Sequence, residues 1–181
     1  LRPLFDKYGF GRVAARLLPE QEQEPCEVVV VQNTTTLEAL ASAMRSASLS
    51  SVGLVLDGVA PESATVIGVR IATSPSSIYY VPVRDGDENK LGSKAAWEGL
   101  KPLLEDPNVS VIGHGLKLDF AILQRLGITL RGLVGDTRVL HYLLFAHERS
   151  HALQEVAMRF LARRLPNSSK VIRDKRLDLT E

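Results

Sequence analysis

A few acids and imidazoles are the side chains whose types and settings could do chemistry in this chain. Asp57 ends the apolar run Val52-Gly53-Leu54-Val55-Leu56, so a buried strand finishes in a carboxylate. Asp119 follows a short β-branched strand, Ser110-Val111-Ile112, a Gly113-His114-Gly115 turn and the start of an amphipathic helix. Leu116, Ile122, Leu123 and Leu126 recur at helical spacing, and Gly127 stands where a helix C-terminus wants a left-handed residue. Asp119 lies in the first turn off that stripe, where a carboxylate favours the positive helix end, so a dipole-complementing surface role competes with a ligand role. Asp136-Thr137 reads as a helix N-cap beside a sheet edge. His141, His147 and His151 invite a metal, since His147 and His151 are four apart. Ser150 marks a helix start between them and no acid has zincin spacing, so surface or capping roles are expected.

The elements that must position these groups follow from pattern. Pro19 to Pro25, with Glu20, Glu22 and Glu24, reads as a linker after an opening segment of two short helices. Glu27–Val31 is a strand, and a helix capped by Thr34, Thr35 or Thr36 runs from Leu37 to about Ala47. Val52–Asp57, Thr65–Ala72 and Ile78–Val83 are strands joined by short connections, which predicts an antiparallel meander. Pro82 puts the third at the sheet edge or ends it. Ser93 caps a helix carrying Ala96, Trp97, Leu100, Leu103 and Leu104, with Pro102 kinking or restarting it and Trp97 filling core. Ile128–Val134 is a further strand, Asp136–Phe145 a helix, and Ser150 caps a last helix with Leu153, Val156, Ala157, Phe160 and Leu161 on one face. The fold class is α/β.

Composition narrows the partners. Of 181 residues, 22 are Lys or Arg and 21 Asp or Glu, so the net charge of +1 supplies no global field toward nucleic acid. Contact with DNA then needs local patches. The single cysteine, Cys26, is read as a small buried or edge residue; it excludes an internal disulfide framework and fits a reducing compartment. No apolar run approaches a membrane span and no signal peptide opens the chain, so a soluble, cytoplasmic protein with no membrane partner is expected. Leu1 in place of Met suggests a piece of something longer.

Val111-Ile112-Gly113-His114-Gly115-Leu116-Lys117-Leu118-Asp119 resembles the second motif of the 3′–5′ exonuclease domain of family A DNA polymerases, the bacterial DNA polymerase I type. That motif runs Gly-Gln-Asn-Leu-Lys-Tyr-Asp, and its Asp holds a catalytic metal. Gly113, Leu116, Lys117 and Asp119 match; His114, Gly115 and Leu118 depart. Leu100–Asp106, Gly127–Gly132, Asp136-Thr137 and Tyr142 resemble the same domain in the same order, so the likeness covers residues 51 to 165. It implies a ribonuclease H-like mixed sheet, an antiparallel meander plus parallel strands, flanked by helices. It also implies two parts: residues 1–25, a helical arm and linker closing a 5′-nuclease region, and residues 26–181, an exonuclease-like domain whose C-terminal end is cut short.

The chemistry of such a domain needs two divalent cations roughly 4 Å apart, held by converging carboxylates. The family supplies an Asp-x-Glu pair from the first strand, alternation turning both side chains to one face. Here that strand ends Asp57-Gly58-Val59, which keeps the Asp and puts a valine at the Glu position. Glu62 lies beyond Pro61 in the turn, and the family's late Tyr-x-x-x-Asp has no match, since neither Asp174 nor Asp178 follows a Tyr at that spacing. Asp57 and Asp119 therefore stand as vestigial metal ligands, and Val59 as the lost position. The resemblance implies a catalytically degenerate module of a DNA-directed DNA polymerase, a nucleotidyltransferase of DNA replication and repair. Its partners are the primer-template 3′ end and the polymerase domain of the same parent chain, with Lys117, Arg149, Arg163 and Arg164 as DNA-binding candidates. The alternative is an active proofreading 3′–5′ exonuclease loaded with Mg²⁺ or Mn²⁺; in the degenerate case this domain holds no cofactor. An unrelated α/β binding protein is a third class, against which the ordered matches count.

Overall fold

The computed structural model describes residues 26–57, 63–86, 90–161, 163 and 165. The expected arm over residues 1–25, Val59, Glu62, Arg164, Asp174 and Asp178 lie outside the described residues. The elements are β1 (Glu27–Val30), α1 (Thr34–Ser46), β2 (Ser50–Asp57), β3 (Thr65–Ala72), β4 (Ser77–Pro82), α2 (Ser93–Leu104), β5 (Val111–Gly113), α3 (Lys117–Arg125), β6 (Leu133–Asp136), α4 (Thr137–Leu144) and α5 (Leu153–Leu161). The described residues fall into two compact units, one from the first strand to Val139 and one from Leu140 on.

In the first unit, six strands form one sheet in the order β1-β4-β3-β2-β5-β6. The meander is as expected: β3 pairs antiparallel with both β2 and β4, while β5 runs parallel to β2 and β6 parallel to β5. Pro82 does end its strand, but β4 is not an edge, because β1 pairs with it in parallel along Val28↔Ile78 to Val30↔Tyr80. A mixed α/β sheet flanked by helices results, as the resemblance implied. Its core is made by the buried faces of β2 (Val52, Leu54), β3 (Val69, Ile71) and β4 (Val81) against Leu40 and Met44 of α1 and Leu100, Leu103 and Leu104 of α2. Burial on this scale stabilises each large side chain by about 1.5–3 kcal/mol. Trp97 packs against this core, as its apolar neighbours suggested.

Local differences from the sequence reading have physical causes. Asn33 caps α1, its carboxamide accepting from Thr36 N–H at 2.9 Å while Thr36 answers in a capping box. Ser93 starts α2 rather than capping it, and its N–H is taken by Asp85 at 2.8 Å. The helix runs through Pro102 to Leu104. Cys26 is exposed rather than buried. Ile128 to Arg131 is not a strand. Ile128 and Leu130 are buried and Thr129 and Arg131 exposed, a period of two that reads as a strand. Their polar groups go instead to the end of α2: Thr129 N–H donates to Glu105, Arg131 N–H to the Leu104 carbonyl, and Lys101 Nζ to the Gly127 carbonyl.

That loop closes tightly on Gly132, where an added Cβ would stand 2.0 Å from the Val109 carbonyl oxygen and 3.0 Å from that of Asp106. Both are backbone atoms and neither can swing away. Gly132→Ala is therefore expected to lower stability by about 1–3 kcal/mol or more, read as a lower urea midpoint at unchanged slope; an unchanged midpoint would show that the loop yields.

Candidate functional site

The site is built where β5 is too short. Strand β5 pairs with β2 only at Ser50↔Val111 and Ser51↔Ile112, and it ends at Gly113. Ser50 N–H donates to the Ser110 carbonyl at 2.9 Å, so alternation turns the N–H groups of Ser50, Val52 and Leu54 to that edge. Past Gly113 the chain leaves the sheet through His114 and Gly115, whose φ of +74° is left-handed. Glycine adopts that conformation at no steric cost, and asparagine is the residue that tolerates it next best. Leu54 N–H thus loses its strand partner. Asp119, in the first turn of α3, replaces it: its Oδ2 accepts from Leu54 N–H at 2.9 Å.

Asp136 anchors the turn from the other side. Its Oδ1 accepts from Gly115 N–H and Arg138 N–H, each at 2.8 Å, and its Oδ2 from Leu116 N–H at 2.7 Å. One carboxylate so fixes the turn before α3 and the first turn of α4, a larger role than the helix cap expected of it. Thr137 Oγ1 donates to the Gly113 carbonyl at 3.1 Å and lies 2.9 Å from His114 Nδ1. Since the hydroxyl proton is used on Gly113, His114 Nδ1 carries the proton toward Thr137.

The electrostatics divide these acids. Burial raises the Asp119 pKa above its ordinary value; the Leu54 N–H and the Arg70 charge oppose that, Asp136 adds to it, and the net direction is up. Burial also pushes Asp136 upward, but the N–H groups of Gly115, Leu116, Arg138 and Val139 outweigh it and the carboxyl ends below the usual value. Arg70, on β3, stands opposite Gly53 in register, with its guanidinium Nε 2.7 Å from where a Gly53 Cβ would be. Asp57 has a different partner: its Oδ2 is 3.2 Å from Arg84 Nη1, both side chains more than half exposed, a pairing worth little in water. Asp57 and Asp119 thus engage separate groups.

The donor set does not fit a pair of divalent ions. Asp136 has both oxygens on backbone N–H groups, Asp119 Oδ2 accepts from Leu54 N–H, Asp57 faces Arg84, and the Arg70 guanidinium lies over Gly53. No cluster of three or more His, Cys, Asp or Glu suited to a metal occurs among the described residues. Lys117 is exposed on α3; in the second unit Arg149 and Arg163 are exposed.

His147 lies on the surface as expected, but His141 does not. His141 is only 2% exposed, its Nδ1 is 2.7 Å from His151 Nδ1, and its Nε2 lies 3.9 Å from Glu148. Glu148 also pairs with Arg159, whose guanidinium lies 3.7 Å over the Phe145 ring. Burial holds the His141 pKa below its usual value, reinforced by His151 and Arg159 against Glu148, so the ring is neutral in this knot. His147 is exposed. The residue sequence reading missed is Arg70. Its signal was a lone charge in Val66-Ile67-Gly68-Val69-Arg70-Ile71, facing a strand that carries a glycine.

A family model described as 3′–5′ exonuclease matches residues 28–179. The chain is 26% identical over 151 residues to the DNA polymerase I of Chloroflexus aurantiacus, covering 83% of this chain and 16% of that protein. It thus spans about a sixth of that relative's length. Among solved structures, Pol1 of M. smegmatis, described as its POL domain in complex with DNA primer-template and dNTP, is 27% identical with a TM-score of 0.62, covering 81% of this chain and 24% of that one. The catalytic core of RRP6 from Trypanosoma brucei shares the fold at a TM-score of 0.64 and 18% identity, over 92% of this chain and 45% of its own. No described helix is long and apolar enough to cross a membrane.

The opposite shifts of the two acids set a pH signature. Because the folded pKa of Asp136 is depressed, its stabilisation is present above the ordinary value of 3.8 and is lost as pH falls through the folded value. Asp136→Asn, which leaves one oxygen for several donors, is expected to lower stability at pH 7 by about 1–2 kcal/mol. The gap to wild type should close on acidification below the usual carboxylate range, measured as urea midpoints at pH 7 and pH 3. A gap that stays constant would show that the ionised carboxylate is not the acceptor that matters.

Proposed function

We infer that this chain, which belongs to the 3′–5′ exonuclease domain family of family A DNA polymerases, serves its parent DNA polymerase I as a structural module whose own hydrolytic chemistry is lost. One observation carries the reading: the hydrogen bond from Leu54 N–H to Asp119 centres the site on β2 at Leu54. The residues flanking it, Gly53 and Val55, alternate onto one face, as the family's Asp-x-Glu pair does. In this register the metal-binding pair is Gly53-Leu54-Val55, and neither end has an oxygen to offer. Asp57, taken from the sequence as the surviving acid of that pair, lies two residues farther along and turns to Arg84.

Without that pair the remaining acids have structural work. Asp119 saturates a strand edge and Asp136 fixes the turn that feeds α3. A two-metal hydrolysis needs both cations placed and a water oriented; Mg²⁺ or Mn²⁺ would find a single partly buried carboxylate, one oxygen of which already accepts from Leu54 N–H. The domain then contributes by bracing the polymerase domain of the same parent chain and by backbone contacts to primer-template DNA. Lys117, Arg149 and Arg163 are the exposed cations suited to phosphate, with Arg164 beside them in sequence. Work on cytoplasmic DNA in replication and repair follows from that parentage.

The test is a 5′-labelled, mismatched primer-template incubated with the parent polymerase without nucleotides, in Mg²⁺ and then Mn²⁺. The expected result is no stepwise shortening, the same outcome for Asp119→Ala, and normal extension once nucleotides are added. Shortening that Asp119→Ala abolishes would establish a working proofreading site and overturn the reading.

A further inference from the structure

The lost carboxylates leave a question of charge. Asp119 is partly buried against β2, and burial works against its ionised form. An exonuclease of this family would neutralise such a carboxylate with a divalent cation. Here the pairing register supplies another positive group. Gly53 and Arg70 are cross-strand partners, so their side-chain positions lie on the same face of the sheet. With no side chain on Gly53, the Arg70 guanidinium lies down over the strand: Nε, Nη2 and Cζ come within 2.7, 3.0 and 3.2 Å of where a Cβ at 53 would stand. The next residue, Leu54, donates to Asp119. The guanidinium therefore covers the backbone beside Asp119, a partly buried carboxylate of the site, and its charge acts on that carboxylate.

We propose that Arg70 is the resident cation of this site, taking beside Asp119 the electrostatic role a divalent metal has in an active exonuclease, so that the site excludes Mg²⁺ and Mn²⁺. The inference rests on the functional reading above and explains how the fold keeps Asp119 without its metal. The guanidinium offsets part of the charge on Asp119, whose pKa burial still leaves above its ordinary value. Being tethered to β3, it needs no cation from solution. It also repels one: a second cation within a few ångströms of a fixed positive charge is disfavoured in a partly desolvated site. The glycine at 53 has a use in this arrangement, since any side chain there would meet the guanidinium.

The experiment separates Arg70 from the missing carboxylates. In this chain, Gly53→Asp with Val55→Glu is compared with the same pair combined with Arg70→Ala, each checked for folding by circular dichroism, and Mn²⁺ binding is read by calorimetry and by paramagnetic broadening. The combination lacking Arg70 should bind Mn²⁺ at least about tenfold tighter; equal affinities would overturn the proposal. Should the carboxylate variants fold poorly, a double-mutant cycle decides. Arg70→Ala should lower the urea midpoint in the wild-type background and much less in Asp119→Asn, which keeps an oxygen for Leu54 but no charge. Equal losses in both backgrounds would remove Arg70 from the site. A wild-type chain that shortens primers sinks the functional reading, whereas an additive cycle in an inert chain sinks only the role of Arg70.

Discussion

A single unpaired N–H on β2 organises the region that matters. Strand β2 is eight residues long and β5 three, so β2 outruns its neighbour on one side. A buried amide with no acceptor costs about 1–3 kcal/mol. The chain meets that cost by turning out of the sheet through Gly113-His114-Gly115, starting α3 at once, and returning a carboxylate to the strand edge. Most else here follows from holding that return in place. Gly115 makes the turn, Asp136 binds two of its N–H groups, and Thr137 closes it onto the Gly113 carbonyl.

The same geometry serves in principle for catalysis, and the family resemblance implied a metal ligand at Asp119. A carboxylate at the uncovered edge of a central strand, facing two side-chain positions of one face, is a ready ligand scaffold. What it holds depends on those two positions and on the strand across from them. Those two positions hold Gly53 and Val55, and Arg70 stands opposite the first with its guanidinium over it. The two acids also oppose each other in their pH response. Asp136 is held ionised by N–H donors and stabilises the fold above its depressed pKa, whereas the raised pKa of Asp119 means its charge is a burden that eases as pH falls.

Much of this was legible in the residues. The meander, the strand–turn–helix around Asp119 and the core face of α2 follow from β-branched runs and helical spacing, and all are found. What the pattern could not supply was partnership. Ile128 to Arg131 alternates like a strand because it lies half-buried, yet its N–H groups serve the end of α2. Pro82 suggested an edge because proline lacks an N–H, but that loss falls at the strand's last residue, where β1 can still cover β4. The burial of His141 depends on partners farther along the chain: the rings beside it include Phe145, just past the end of α4, and Phe160 of α5. Arg70 was visible only as an odd charge, since its meaning depends on the register that sets it against Gly53.

Register is also what separates fold from chemistry in the site. Asp57 sits at the end of an apolar strand and satisfies a linear motif, but a strand position has meaning only relative to its neighbours, and the neighbour of Asp57 is Thr65 while that of Gly53 is Arg70. Asp119, by contrast, is tied to its place by a backbone group that every sequence has. The structural half of its role therefore survives any change at 53, 55 or 57, and its presence alone says nothing about hydrolysis. On the reading proposed above, the positions that decide such chemistry flank Leu54 on β2, and in this chain they carry a hydrogen and an isopropyl group, with the Arg70 guanidinium over the first.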